Sequence, residues 1–230
     1  MMLFRQNLPN LQSKIRFIHA VPSAPAVDVF FSGMPMGKNL AFSDITCYEN
    51  ISPGNYELQL YTAGTYDKPL ITRNIDITPN SSSTTNIVTL GGNLDIFTLN
   101  DANVKDKVKI GNCFLRFIHL SPNAPLISLS LANDIILFNN VEYLETTGYY
   151  PLSPAIYDFK VTFSSFAGLA KFINDKKLTN GKFYTIYIIG LLNREPKLGY
   201  LLVEDGIEEG MKAWKIKEET SLGVSKIDTF

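Results

Sequence analysis

The chain has little of what enzymes, membrane proteins and nucleic-acid-binding proteins usually display. It has two histidines, two cysteines and a formal net charge of −1 with no strongly basic run, so the electrostatic footprint of a nucleic-acid partner is missing. No stretch approaches the roughly 20 apolar residues that a membrane span needs. Polar residues and Pro9 interrupt the apolar run that a secretory signal requires. The expected compartment is therefore the cytoplasm, or an envelope or spore layer reached by a non-classical route.

Common catalytic and cofactor motifs are absent as well. The sequence contains no G-x-S-x-G, G-x-x-x-x-G-K-[ST], G-x-G-x-x-G, C-x-x-C or H-E-x-x-H pattern. Neither a catalytic residue nor a cofactor is predicted on these grounds. Cys47 and Cys113 lie far apart in sequence, and we expect two buried free thiols rather than a disulfide.

What the chain does contain is a repeat. Residues 16–25 read RFIHAVPSAP and residues 116–125 read RFIHLSPNAP, which agree at seven of ten positions. Further matching blocks follow in the same order, so the sequence predicts an internal duplication. We place the two domains at residues 14–101 and 113–206, with a polar linker at Asp101–Asn112 and a C-terminal extension at 207–230.

Each repeat has the pattern of a β protein. Apolar and polar residues alternate in segments such as 56–61 and 127–131, and turn residues separate the segments. The run 184–189 is apolar and β-branched, as in a strand covered on both faces. Residues 165–177 are compatible with a helix face, but we favour an edge strand there. The predicted fold is all-β: two tandem immunoglobulin-like antiparallel β-sandwich domains, each of about seven strands.

A block of the form R-F-I-H-x-x-P-x-A-P-x-V-D-V, followed by a Pro-Gly-x-Tyr turn at 53–56, resembles a bacterial family, domain of unknown function 4397. The resemblance covers nearly all of both halves. The second repeat departs from the pattern, with Ser128 in place of the family's Asp and Ala155 in place of its Gly. The resemblance implies an immunoglobulin-like fold and a bacterial source. Its members are often predicted to be exported or envelope proteins, and it implies no activity.

The two histidines, His19 and His119, fall at matching positions of the repeat. One interpretation makes each ring a metal ligand or a general base, with Asp28 and Asp44 as neighbours of His19. The other makes the ring a hydrogen-bonding group that holds the Pro-rich turn after the first strand. The second is favoured, because duplication kept each histidine together with its flanking prolines.

Aromatic and cationic residues give further candidates. Tyr48 and Tyr149 are candidates for a sugar-stacking platform or for a structural role. A different pair, Tyr56 and Tyr157, resembles a tyrosine corner, in which the hydroxyl binds backbone. Arg16 and Arg116 open a strand and are expected to form an ion pair, with Asp28 or its neighbours as the carboxylate.

Two functions of different classes remain open from the sequence. The first is a non-enzymatic binding or structural module associated with the bacterial envelope or surface, with an unidentified protein or polysaccharide as its partner. The second is a hydrolase or metal-binding protein that uses His19 or His119 with Asp28. Oligomeric state is not predicted.

Overall fold

The computed structural model describes residues 12–102, 111–166, 168–206 and 228–229. Within these ranges the chain is all-β and forms two sandwich-like units, as predicted. The described part contains no helix that is long and apolar enough to cross a membrane. The immunoglobulin-like assignment, which is finer than a sandwich, stays a prediction.

Eight strands build the first unit. They are β1 (Ser13–His19), β2 (Val27–Phe31), β3 (Met34–Leu40), β4 (Glu49–Ile51), β5 (Gly54–Thr62), β6 (Ile71–Ile77), β7 (Ser82–Leu90) and β8 (Asn93–Asp101). They form two four-stranded sheets in the orders β4-β1-β7-β8 and β3-β2-β5-β6. The pair β1–β7 is parallel, and the other pairs are antiparallel.

The second unit repeats this arrangement. Its strands are β9 (Cys113–His119), β10 (Ile127–Leu131), β11 (Ile136–Val141), β12 (Tyr150–Leu152), β13 (Ala155–Phe163), β14 (Ala170–Leu178), β15 (Phe183–Ile189), β16 (Gly199–Asp205) and β17 (Asp228–Thr229). The sheet orders are β12-β9-β15-β16-β17 and β11-β10-β13-β14. Strand β14 lies at a sheet edge, which confirms the strand favoured over a helix for residues 165–177.

Each unit has its own apolar core, and a third apolar cluster joins the two units. Alternation on β1 explains how: Ile15 and Phe17 enter the first core, whereas Ile18 enters the joining cluster. Strand β15 does the same, with Ile186 facing the second core and Ile189 facing the first unit. The fully covered strand predicted at 184–189 is therefore confirmed. The joining cluster consists of Ile18, Ala20, Val88, Ile118, Leu120, Tyr187, Ile189, Leu201 and Val203.

The linker and the C-terminal extension were assigned from their polarity, and the structure describes only part of each. Asp101, placed at the start of the linker, is the last residue of β8 and is buried. Most of the predicted linker, residues 103–110, lies outside the described residues, as do 207–227 and 230 of the C-terminal extension. Residues Asp228–Thr229 pair antiparallel with the start of β16.

The prediction of two buried thiols is wrong for one of them. Both cysteines are free, and Cys113 is buried, but Cys47 is exposed. Cys113 belongs to strand β9, whereas Cys47 lies between strands, in the segment before β4. A loop residue has no strand alternation to direct its side chain into a core, so burial statistics for cysteine misled here.

Candidate functional site

His19 and His119 end the first strand of each unit, and both side chains are fully buried. Nε2 of His19 lies 3.2 Å from the carbonyl oxygen of Pro25, and Nδ1 accepts the N–H of Val21 at 3.2 Å. The second repeat copies this geometry. Nε2 of His119 lies 3.1 Å from the carbonyl oxygen of Pro125, and Nδ1 accepts from a backbone N–H at 3.2 Å.

These contacts fix the tautomer of each ring. A carbonyl oxygen can only accept, so Nε2 carries the proton and donates it, while Nδ1 remains an acceptor. Burial lowers the pKa of His19 below 6.5, against the opposing effects of Pro25 and Asp44. Burial likewise lowers the pKa of His119 to about 4. Each ring is therefore neutral at pH 7 and bridges the two sides of the Pro-rich turn.

Neither ring has a nitrogen left for a metal ion or a substrate proton. Asp28 does not join them, because its carboxylate binds Asn39, Gly64 and Tyr66 instead. The carboxylate of Asp44 accepts the N–H of Ala41. In the described ranges no group of three or more His, Cys, Asp or Glu side chains is placed to hold a metal ion.

The tyrosine pair at the Pro turns makes the predicted corner-like hydrogen bonds. The hydroxyl of Tyr56 donates to the carbonyl oxygen of Ser52 at 2.9 Å, four residues upstream. Tyr157 donates to that of Ser153 at 2.6 Å. These hydrogen bonds hold the turns at which β5 and β13 begin, which is a structural role.

Arg16 and Arg116 form ion pairs, but with partners other than the predicted ones. Arg16 Nη2 donates to Asp205 of the other unit, and Arg116 Nη2 donates to Asp101. Nη1 of Arg16 also donates to the carbonyl oxygen of Glu204 at 3.0 Å, so the guanidinium binds two successive residues at the end of β16. The prediction that Asp28 would be the carboxylate is wrong, because the ends of β8 and β16 supply the carboxylates, each to the arginine of the other unit.

Tyr48 and Tyr149 complete this buried network instead of forming an open platform. The guanidinium of Arg16 lies 4.4 Å from the ring centre of Tyr48, whose hydroxyl donates to Asp101 at 2.7 Å. On the other side, Arg116 lies 4.7 Å from the ring centre of Tyr149, and that hydroxyl donates to Asp205 at 2.8 Å. One face of each ring is therefore occupied by a cation from its own unit.

Two threonines tie the arginines to the aspartates. Thr84 accepts from Nε of Arg16 at 2.8 Å and donates to Asp101. Thr185 does the same for Arg116, at 2.9 Å, and for Asp205. We call the eight side chains the inter-unit network: Arg16, Tyr48, Thr84, Asp101, Arg116, Tyr149, Thr185 and Asp205.

Charge balance explains how this network tolerates burial. Burial alone lowers the pKa of Arg16, but Tyr48, Asp205 and Asp101 outweigh burial, so its pKa is raised and it stays charged. Burial and the nearby Asp101 raise the pKa of Asp205, against the effect of the two arginines. Two cations face two carboxylates with their hydrogen bonds satisfied, which is the condition under which buried ions are stable.

Sequence reasoning missed four members of the network: Thr84, Asp101, Thr185 and Asp205. A signal was present, since Asp101 and Asp205 both follow the last apolar strand segment of their repeat. Polarity placed Asp101 in a linker because an isolated aspartate after a strand is usually exposed. Matching the two strand-end aspartates to the two repeated arginines would have exposed the pairing.

Comparison with known proteins gives one positive result. No curated protein matches the chain. The sequence model of the family described as "Domain of unknown function (DUF4397)" matches residues 13–130, which includes all of the first unit and the start of the second. With that match over half its length, and with the histidine turn repeated in both units, the chain belongs to the DUF4397 family.

Proposed function

We propose that this protein is a non-enzymatic binding or structural module of the bacterial cell envelope, in which two sandwich-like units act as one rigid body. The proposal rests on one observation: the reactive side chains of this protein serve structural contacts. The histidines of the repeated block hold turns, and its arginines bind Asp101 and Asp205 in the inter-unit contact.

The alternative, a hydrolase or metal-binding protein, needs a histidine with one accessible nitrogen. Both nitrogens of His19 and of His119 are engaged by backbone groups. A general base must reach the proton that it abstracts. No observation favours this alternative, so the binding or structural role is the better supported function.

The envelope assignment rests on the family resemblance and on the architecture. Tandem β-sandwich modules present surfaces and loops on a rigid scaffold, and binding in such proteins resides there. Burial of four charges between the units fixes their relative orientation, which suits a spacer or a ligand-presenting module. A polysaccharide or a protein of the envelope is the proposed partner.

The test is fractionation of the source cells, followed by detection of the protein in cytoplasm, membrane, wall and spore fractions. Recovery with the wall or spore layer supports the proposal. Recovery only as a freely soluble cytoplasmic protein would overturn the envelope assignment.

A second experiment addresses catalysis. His19→Ala and His119→Ala should reduce stability, and binding to wall material should change only in proportion to the unfolded fraction. A stable variant that loses binding or a hydrolytic activity would instead place the histidines in a site.

A further inference from the structure

The outer face of the first unit carries a feature that the buried network does not use. A pocket of about 430 Å³ opens on the sheet β3-β2-β5-β6, a volume within the range of small-ligand sites. Apolar atoms dominate its surface. The side chains that shape it are Phe30, Pro35, Lys38, Gln59, Tyr61 and Tyr66.

Three aromatic rings form the walls of this pocket. The ring of Phe30 lies 5.6 Å from Tyr61 and 5.6 Å from Tyr66, at interplanar angles of 86° and 85°. Strand alternation places Val29 and Phe31 in the core, so Phe30 points outward. Tyr66 is 53% exposed. Aromatic surface left in water is unfavourable for the unit alone, so an exposed aromatic group is a candidate for ligand contact.

Asp28 holds the most exposed of these rings in place. Its carboxylate accepts from the N–H of Asn39 at 2.7 Å, the N–H of Gly64 at 3.0 Å and the hydroxyl of Tyr66 at 2.8 Å. Burial would raise the pKa of Asp28, but these three hydrogen bonds and Lys38 outweigh it and lower that pKa. The charged carboxylate thus fixes an exposed ring before any ligand arrives, which reduces the entropy lost on binding.

The second repeat shows which part of this arrangement the fold needs. Ser128 stands where the first repeat has Asp28, and its Oγ accepts the N–H of Asn140 at 2.9 Å. The backbone contact is therefore kept. The two strand aromatics are not kept, because Ser130 and Thr162 stand where the first repeat has Phe30 and Tyr61. The second repeat therefore forms the same strands without these two aromatic residues.

We propose that this pocket binds the pyranose rings of a polysaccharide, with Asp28 as a positioning residue for Tyr66. The inference rests on the proposed binding function and names its ligand class. A pyranose ring offers a flat C–H face to an aromatic ring and hydroxyl groups around its edge. Those hydroxyls meet donors and acceptors in Lys38, Gln59 and the Tyr61 hydroxyl. A single cation among these lining groups gives little basis for recognising a charged peptide.

The experiment is an NMR titration of the ¹⁵N-labelled full chain. The probes are cellohexaose, chitohexaose, xylohexaose and polysaccharide released from the source cell wall, with a proline-rich decapeptide as the competing ligand class. At least one carbohydrate should give saturable shifts of the amides of Gly33, Gln59 and Gly64. Loss of stacking at Tyr66→Ala should weaken that binding by about tenfold or more.

Matched variants separate binding at the pocket from non-specific binding elsewhere on the protein. Phe172→Ala removes a ring that is 52% exposed on the second unit and should leave binding unchanged. Asp28→Ser installs the second repeat's residue and should weaken binding several-fold, since Tyr66 loses its anchor. Tyr66→Phe keeps the ring but loses the hydrogen bond, and its effect should be smaller than that of Tyr66→Ala.

The proposal is overturned if no carbohydrate shifts the pocket amides, if only the decapeptide does, or if Tyr66→Ala binds as tightly as the unaltered chain. Its failure is distinguishable from failure of the proposed function. A Tyr66→Ala protein that still fractionates with the cell wall would leave the envelope role standing and remove only this pocket from it.

Discussion

At the scale of single residues, the polar side chains repeated in the two units of this chain hold turns and the contact between the units. A charged residue in the middle of a covered strand, such as Arg16, is stable only when its partner is fixed too. Removal of one partner leaves an unpaired buried charge, which costs far more than loss of an exposed ion pair. This asymmetry yields the first prediction.

Asp205→Ala should lower the free energy of unfolding by about 3–5 kcal/mol, because Arg16 loses the carboxylate that its Nη2 binds and keeps only Asp101, at 3.9 Å and shared with Arg116. The measurement is urea-induced unfolding followed by circular dichroism. Asp134→Asn is the control. It removes the charge of a carboxylate that is 73% exposed and pairs with Lys160, and asparagine tolerates the φ of 65° there, so its cost should stay below about 1 kcal/mol. Equal losses in the two variants would contradict the role given to the network.

The buried histidines predict a dependence of stability on pH. The folded pKa of His119, about 4, is lower than the ordinary value of 6.5, so the unfolded chain binds the proton more readily. The neutral ring's contribution to the free energy of unfolding is therefore complete above pH 6.5 and is lost as the pH falls towards 4. His19 shifts in the same direction.

Between pH 7 and pH 5, His119 alone should account for a loss of about 2 kcal/mol of unfolding free energy. Urea unfolding at both pH values checks this, with His119→Asn as the reference that cannot take up a proton. If the variant loses as much stability on acidification as the unaltered protein, the ring is not held neutral in the fold.

The limits of sequence reasoning are visible at this scale. Arg16, His19 and their counterparts were identified because they occur in both repeats. The hydrogen bond of Tyr56 was predicted because a tyrosine corner joins residues that are close in sequence. Arg16 and Asp205 are 189 residues apart, and no local pattern encodes a contact across two units. For the same reason a stacking platform and a structural role both remained open for Tyr48, since nothing near it in sequence reveals the cation over its ring.

At the scale of elements, strand periodicity predicted most of the sheets. The covered strand β15 was identified by its uninterrupted apolar, β-branched run, and the edge strand β14 was favoured because its counterpart in the first repeat reads as a strand. The three-residue strands β4 and β12 were too short to show a period, which is why about seven strands were predicted where eight occur in the first unit. Such short strands exist because a neighbouring strand pairs with them.

The connection between β15 and β16 is the element most sensitive to a single methyl group. Gly190 has φ +84°, and a Cβ atom there would lie 2.2 Å from the carbonyl oxygen of Lys197. Gly190→Ala should therefore cost about 3 kcal/mol or more, because backbone must move as well as adopt a strained φ.

Gly181→Ala is its control, since Gly181 has φ +76° and open space around its Cβ position. The control should cost about 1–2 kcal/mol from the backbone conformation alone. Thermal unfolding of both variants gives the comparison. Similar melting temperatures would mean that the close approach to Lys197 relaxes without penalty.

At the scale of the whole molecule, the joining cluster and the inter-unit network should make the two units unfold together. The measurement is differential scanning calorimetry of the full chain, with a single transition expected and a calorimetric enthalpy equal to the van 't Hoff enthalpy. Asp205→Ala should broaden or split that transition. Two separate transitions in the unaltered chain would show that the contact between units contributes little.

The reciprocal pairing of Arg16 with Asp205 and of Arg116 with Asp101 is the arrangement of an isologous dimer, in which one surface patch meets its own copy across a twofold axis. Here the axis is approximate and both copies share one polypeptide. In a dimer of identical subunits every substitution occurs twice. Fusion removes that constraint, so the two halves can differ, as they do where Asp28 of the first repeat faces Ser128 of the second.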